Sequence, residues 1–201
     1  MNPNKVQKIS TVFSYLFLIV LFGTIAVSIY SQDWHVLFIS IAALFLIFIP
    51  DILSHRLHIL LPSEVKLAFL LFICASLLLG SIYDYYEKFS WWDDMLHFSS
   101  AVGLGILSFS LIFMLTSKRK IKTNYILFAI FSFSLTISLG TLWEIFEFFM
   151  DNTFGLNMQK TGLFDTMSDL MVDTTGALIT SIAGYFYIKF DKKIPLIRLK
   201  K

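Results

Sequence analysis

The sequence predicts an all-α polytopic membrane protein: a bundle of six transmembrane helices with both termini cytoplasmic. Three observations predict it. Hydrophobic residues make up 57% of the 201 residues and charged residues only 15%, against about 45–50% and about 25% in soluble domains. Six stretches are each long enough, at about 20 largely apolar residues, to cross a bilayer. The basic residues fall in alternate loops. This balance excludes a soluble globular enzyme, a disordered chain and a coiled coil. The net charge of +2 is too small to point to nucleic acid.

The spans are 11–30, 35–53, 65–83, 94–116, 124–149 and 167–189, in a single transmembrane domain covering residues 1–201. The first follows Lys5 and Lys8, as a signal peptide would. Its apolar run is too long for one, and the SIYSQDW segment lacks a small-residue cleavage site. It reads as an uncleaved span. Lys and Arg then set the orientation. The N-terminus, the 2–3 loop (Arg56, Lys66), the 4–5 loop (Lys118, Arg119, Lys120, Lys122) and the C-terminal tail hold all of them except Lys88 and Lys160. The positive-inside rule places that richer side in the cytoplasm, and an even number of spans agrees. The expected location is the bacterial cytoplasmic (inner) membrane.

The aromatic residues near the ends of spans two to four, Trp34, Tyr83, Tyr85, Tyr86, Trp91 and Trp92, read as an interfacial belt. The single cysteine, Cys74, reads as a small hydrophobe. His55 and His58, beside Arg56, read as interfacial, as does His35. Gly103 and Gly105 on span four, with Gly176, Ala177, Ser181 and Gly184 on span six, read as close-packing positions that draw helices together.

The acids are placed asymmetrically. Only Asp51, Glu64 and Asp191 fall on the cytoplasmic side, and three clusters mark the outer ends of three spans. Span four opens with WWDDMLHF, which puts Asp93 and His97 one turn apart on one face. Span five closes with LWEIFEFFMD, where Glu144, Glu147 and Asp151 lie within about 60° around the helix. Span six opens with Asp165, Asp169 and Asp173, within about 80°. Asp173 lies about 12 Å along its helix from Asp165, and Glu144 about 10 Å inward from Asp151. A carboxylate at mid-bilayer costs about 2.5–3.5 kcal/mol even on an insertion scale. Lys88 and Lys160 sit in loops, and no basic residue in the outer half of a span neutralises these acids. The carboxyls therefore hold protons or bind a cation. The helix dipole accounts for Asp93, Asp94 and Asp165 at helix N-termini, but not for Glu144, Glu147 or Asp173.

Carboxylates with one imidazole suit a divalent metal such as Mg, Mn or Zn. The candidate metal ligands are His97, Glu144, Glu147, Asp165, Asp169 and Asp173. His97 and Asp93 are the candidate catalytic pair, with His97 as ligand or general acid/base and Asp93 in support. One His and no nearby Cys argue against a structural zinc site, and the absent second His against a bundle-type di-iron site. No HExxH, GxSxG, P-loop or dinucleotide motif is present.

Asp93-x-x-x-His97-Phe98, Trp143-Glu144-x-x-Glu147, and Gly162-x-x-Asp165-Thr166-x-x-Asp169 followed by Gly176-Ala177 occur in this order. In this layout the chain resembles the YjdF-like family of bacterial inner-membrane proteins, over roughly its C-terminal two-thirds. The Asp-x-x-x-His start is also similar to VanZ-like membrane proteins, linked to glycopeptide-antibiotic response. The resemblance implies six spans and a polar site built from these residues; it implies no reaction. Three functions stay open. One is a metal-dependent enzyme acting near the outer leaflet on a phosphate-bearing lipid headgroup or lipid-linked envelope precursor. The second is a cation or proton-coupled transporter. The third is a non-catalytic envelope assembly or stress factor. All three have the lipid bilayer as partner.

Overall fold

The computed structural model describes residues 3–56, 59–118, 124–190 and 198–199. His58, the loop residues Arg119, Lys120 and Lys122, and the tail residues Asp191, Lys192, Lys193, Lys200 and Lys201 lie outside the described residues. Among the described residues the chain is all-α apart from one short pairing of strands, and it divides into two compact units.

The first unit comprises residues 1–92 and 196–201. It holds α1 (Pro3–Ser31), α2 (Trp34–Leu46), α3 (Ile49–Arg56), β1 (Ile59–Leu60), α4 (Ser63–Ile73), a π-helical segment (Cys74–Ile82), α5 (Tyr85–Lys88) and β2 (Arg198–Leu199). The α1–α2 turn passes through Gln32 at φ 58°, and the Asp33 side chain then accepts the Val36 N–H to start α2. The helix expected across 35–53 is interrupted between Leu46 and Ile49. Pro50, which lacks an N–H, sits in the first turn of α3, where that donor has no intrahelical use. Phe17, Leu21, Ala43, Leu70, Ile73 and Leu78 form the core of this unit. Lys66 pairs with Asp51. β1 and β2 are antiparallel, with Ile59 opposite Leu199 and Leu60 opposite Arg198. That pairing was not anticipated, since two-residue strands carry no periodicity.

The second unit, residues 93–195, contains the rest of α6 (Trp92–Lys118), α7 (Tyr125–Phe154) and α8 (Leu163–Lys189). Asn124 caps α7, its side chain accepting the Ile126 N–H at 2.9 Å. Gly155, at φ 67°, ends α7 in the left-handed conformation that glycine adopts without a Cβ clash. Small residues let these helices approach. A Cβ on Gly176 would lie 2.8 Å from the Ala101 Cβ and 3.2 Å from the Phe98 carbonyl oxygen. Gly105 faces Thr180 and Gly184 faces Phe109, while Ala177 and Ser181 are buried. Gly103 corrects the expectation: nothing lies within 4 Å of where its Cβ would be.

Among the described residues, five helical stretches are long and apolar enough to cross a membrane: Lys5–Ser31, Trp34–Arg56, Ser63–Ile82, Trp92–Ile112 and Tyr125–Phe154. Large apolar side chains such as Ile19, Phe22, Val27, Ile145 and Phe148 stand outward on them. Large apolar side chains left outward along each of these helices suit lipid contact better than water. α8 is long enough as well, at 27 residues, but carries three aspartates. It turns Asp169 and Asp173 inward and leaves Phe164, Met171, Leu178, Ile182 and Phe186 exposed.

Candidate metal centre

Three helices of the second unit bring their acidic ends together around one imidazole. α6 presents His97 one turn after Asp93. α7 presents Glu144 and Glu147, and α8 presents Asp165, Asp169 and Asp173. His97, Glu144, Glu147, Asp169 and Asp173 are all at least nine-tenths buried. The two edges of the imidazole face different groups. Nε2 lies 3.8 Å from Glu144 Oε1, 3.9 Å from Asp169 Oδ2 and 4.0 Å from Asp93 Oδ1. Nδ1 lies 3.4 Å from Asp173 Oδ1.

Among the described residues, two groups of three have ligand atoms all within 4.8 Å of one another: His97–Glu144–Asp169, fully buried, and Asp93–Asp165–Asp169, nearer the surface. Ligands bound to one cation at about 2.0–2.3 Å stand about 3–4.6 Å apart, from neighbouring to opposite positions, and the 3.8–4.0 Å spacings around Nε2 fall in that range. Both carboxylate oxygens of Glu144, His97 Nδ1 and Asp173 Oδ1 are buried and make no hydrogen bond. A buried carboxylate without hydrogen bonds is strongly disfavoured unless a cation or proton compensates it. Two unit charges 4 Å apart repel by about 4 kcal/mol at an effective dielectric of 20.

The loop between α7 and α8 closes the acidic end of the cluster. Asp151, expected to share a face with Glu144 and Glu147, turns instead to this loop. Its carboxylate accepts the Met158 N–H at 2.6 Å and the Gln159 N–H at 2.7 Å. Gln159 donates from Nε2 to Thr166 Oγ1 at 2.6 Å. The Lys160 N–H reaches Asp165 Oδ2 at 3.2 Å, and its Nζ stands 3.5 Å from Asp93 Oδ2. A loop lysine therefore does compensate part of the acidic charge, which the sequence reading had discounted. Ser168 donates to Asp94 Oδ1 at 3.2 Å. Glu147 is buried but belongs to neither group of three.

Sequence reasoning leaves Gln159 and Gly140 unmarked and reads Lys160 only as a loop residue. The contacts of Gln159 and Lys160 depend on loop conformation. Gly140 stands one turn before Glu144 on the same face of α7, and a glycine inside an otherwise strong helix was its only signal. A Cβ there would collide with the Asp173 carboxylate.

Residues 12–190 match the family described as "Predicted membrane protein (DUF2238)", and the chain belongs to that family. An uncharacterized protein of Thermotoga maritima is 32% identical over 130 residues, which cover 64% of this chain and 66% of that protein. The matched stretch thus spans just under two thirds of that relative's length. No solved structure matches the chain.

Proposed function

We propose that this chain, a member of the DUF2238 membrane-protein family, is a metal-dependent enzyme of the bacterial cytoplasmic membrane. It acts near the outer leaflet on a phosphate-bearing lipid headgroup or a lipid-linked envelope precursor. The carrying observation is the buried His97–Glu144–Asp169 group, whose Glu144 oxygens lack any hydrogen bond. These three residues hold the ion, with Asp93, Glu147, Asp165 and Asp173 supplying surrounding negative charge. Mg, Mn or Zn, when bound, polarises a phosphoryl oxygen and stabilises charge in the transition state. His97 is a ligand in this reading, and Asp93, 4.0 Å from its Nε2 at the more exposed side, supports it. Residues 1–201 form one transmembrane domain of six spans with both termini cytoplasmic. α8 is the sixth in this reading, with Asp169 and Asp173 buried and large apolar side chains such as Met171 and Ile182 exposed. The YjdF-like layout of the three motifs is consistent with this reading.

The experiment is metal analysis by mass spectrometry after chelator-free purification in mild detergent. Near-stoichiometric metal in the wild type, lost in both Glu144→Gln and Asp169→Asn, supports the site. A wild type that stays metal-free when Mg, Mn and Zn are each supplied refutes it. The enzymatic step is tested by hydrolysis of a phosphomonoester lipid in vesicles, in which water replaces the lipid alcohol on phosphorus and inorganic phosphate is released; Asp169→Asn should abolish it.

One observation favours a second reading, a cation or proton-coupled transporter. Beyond the acids along α7 and α8, Ser132, Thr136, Thr180 and Ser181 are also buried. Their hydroxyls donate to backbone carbonyls, which leaves lone pairs for an ion. Flux in proteoliposomes that disappears in Asp173→Asn supports this reading; flat traces from the wild type refute it.

A further inference from the structure

Asp173 stands apart from the other acids of the cluster. Asp93, Glu144 and Asp169 all face Nε2 of His97, whereas Asp173 faces Nδ1. His97 Nδ1 and Asp173 Oδ1 are both buried, neither makes a hydrogen bond, and they face each other at 3.4 Å. The other Asp173 oxygen lies against Gly140 on α7, where any Cβ would displace it. The carboxylate is thus held between a helix backbone and the imidazole edge turned away from the other acids.

A histidine that binds metal through one nitrogen commonly donates its other N–H to a carboxylate, which fixes the tautomer and the ring plane and makes the ligand more basic. We infer that Asp173 is a positioning residue for His97 rather than a metal ligand, and that Gly140 supplies the clearance that lets it reach Nδ1. This rests on the metal reading above and divides the labour within it. Nε2 of His97, Glu144 and Asp169 bind the ion. Asp173 holds the Nδ1 proton, and no proton is transferred. Gly140 carries no chemistry but sets where the Asp173 carboxylate lies.

The test is titration of the full-length, detergent-solubilised protein with Co²⁺. Visible absorption reports the coordination sphere, and mass spectrometry reports stoichiometry at saturation. Wild type is compared with Asp173→Asn, Gly140→Ala and the ligand variant Asp169→Asn. Asp173→Asn and Gly140→Ala should each still reach one Co²⁺ per chain, with Kd raised about 10–100-fold and the visible bands shifted. Asp169→Asn should lose the metal. If Asp173→Asn loses stoichiometric metal as Asp169→Asn does, Asp173 is a ligand and the inference fails while the metal site stands. Wild-type Kd and bands in Asp173→Asn also overturn it. No Co²⁺ bound by the wild type at any concentration overturns the metal reading and the inference together. Asp173→Asn is nearly isosteric, so it decides the question even if Gly140→Ala unfolds, which a thermal melt of each variant reports.

Discussion

Replacing Asp151 by alanine should loosen the loop over the acidic cluster while leaving the helix that carries it intact. The Asp151 carboxylate accepts two loop N–H groups, from Met158 and Gln159, at 2.6 and 2.7 Å. Hydrogen bonds to a charged acceptor contribute about 1.5–3 kcal/mol each when well shielded. Asp151 is only half-buried, and solvent would replace part of each bond, so about 1 kcal/mol apiece is a fair value. The pair then contributes about 2 kcal/mol, a roughly 30-fold change in the local opening equilibrium at 1.4 kcal/mol per factor of ten. The helix end is insulated from this change, because Gly155 N–H bonds to the Asp151 main-chain oxygen at 2.9 Å. Hydrogen exchange in detergent is the assay. Protection of the Met158 and Gln159 amides should fall about 30-fold in Asp151→Ala and less in Asp151→Asn, which keeps one neutral acceptor. Amides in the middle of α7 should not change. Equal protection of Met158 and Gln159 in wild type and Asp151→Ala would refute the argument that this carboxylate organises the loop.

Other expectations concern the same three helices. Gly176→Ala should destabilise by about 1–3 kcal/mol, since its Cβ would meet Ala101 and the Phe98 carbonyl. Gly103→Ala, with open space at its Cβ, should instead stabilise by up to about 1 kcal/mol; unfolding midpoints of the pair in one detergent check both. Ser132→Ala removes a buried bond to the Gly105 carbonyl at 2.9 Å and should cost about 1 kcal/mol by the same measurement. Lys160→Met removes the ammonium 3.5 Å from Asp93 and should tighten Mn²⁺ binding by up to about fivefold, from about 1 kcal/mol of lost competition. Weaker Mn²⁺ binding in calorimetry would mean that Lys160 builds the cluster rather than neutralising it. A bound divalent ion at 100 times its Kd should add about 2.7 kcal/mol of stability, seen as a melting point that chelator lowers in the wild type and leaves unchanged in Asp169→Asn.

Sequence alone established the helical content, the presence of several apolar stretches long enough to cross a membrane, and the faces of α7 and α8 that carry Glu144, Glu147, Asp169 and Asp173. These follow from local rules: apolar run length sets a span, and a period of 3.6 residues sets a face. It was enough to put Glu144 with Glu147, and Asp169 with Asp173, and to mark Gly105 and Gly176 as contact positions. Tertiary structure decided what those faces meet. Periodicity ranks residues around one helix but does not say which neighbour stands opposite, so Gly103 and Gly105 looked alike although only Gly105 touches α8. The split of the acids between Nε2 and Nδ1 of His97 is likewise invisible in spacing, because it depends on how the ring is set among three helices. Asp151 and Lys160 were misjudged for a related reason. Asp151 has the right helical phase for the cluster, but two N–H groups of a folded-back loop offered it better partners. Lys160 is distant from Asp93 along the chain, and only the path of that loop brings an ammonium to a carboxylate that helix geometry alone would leave without one.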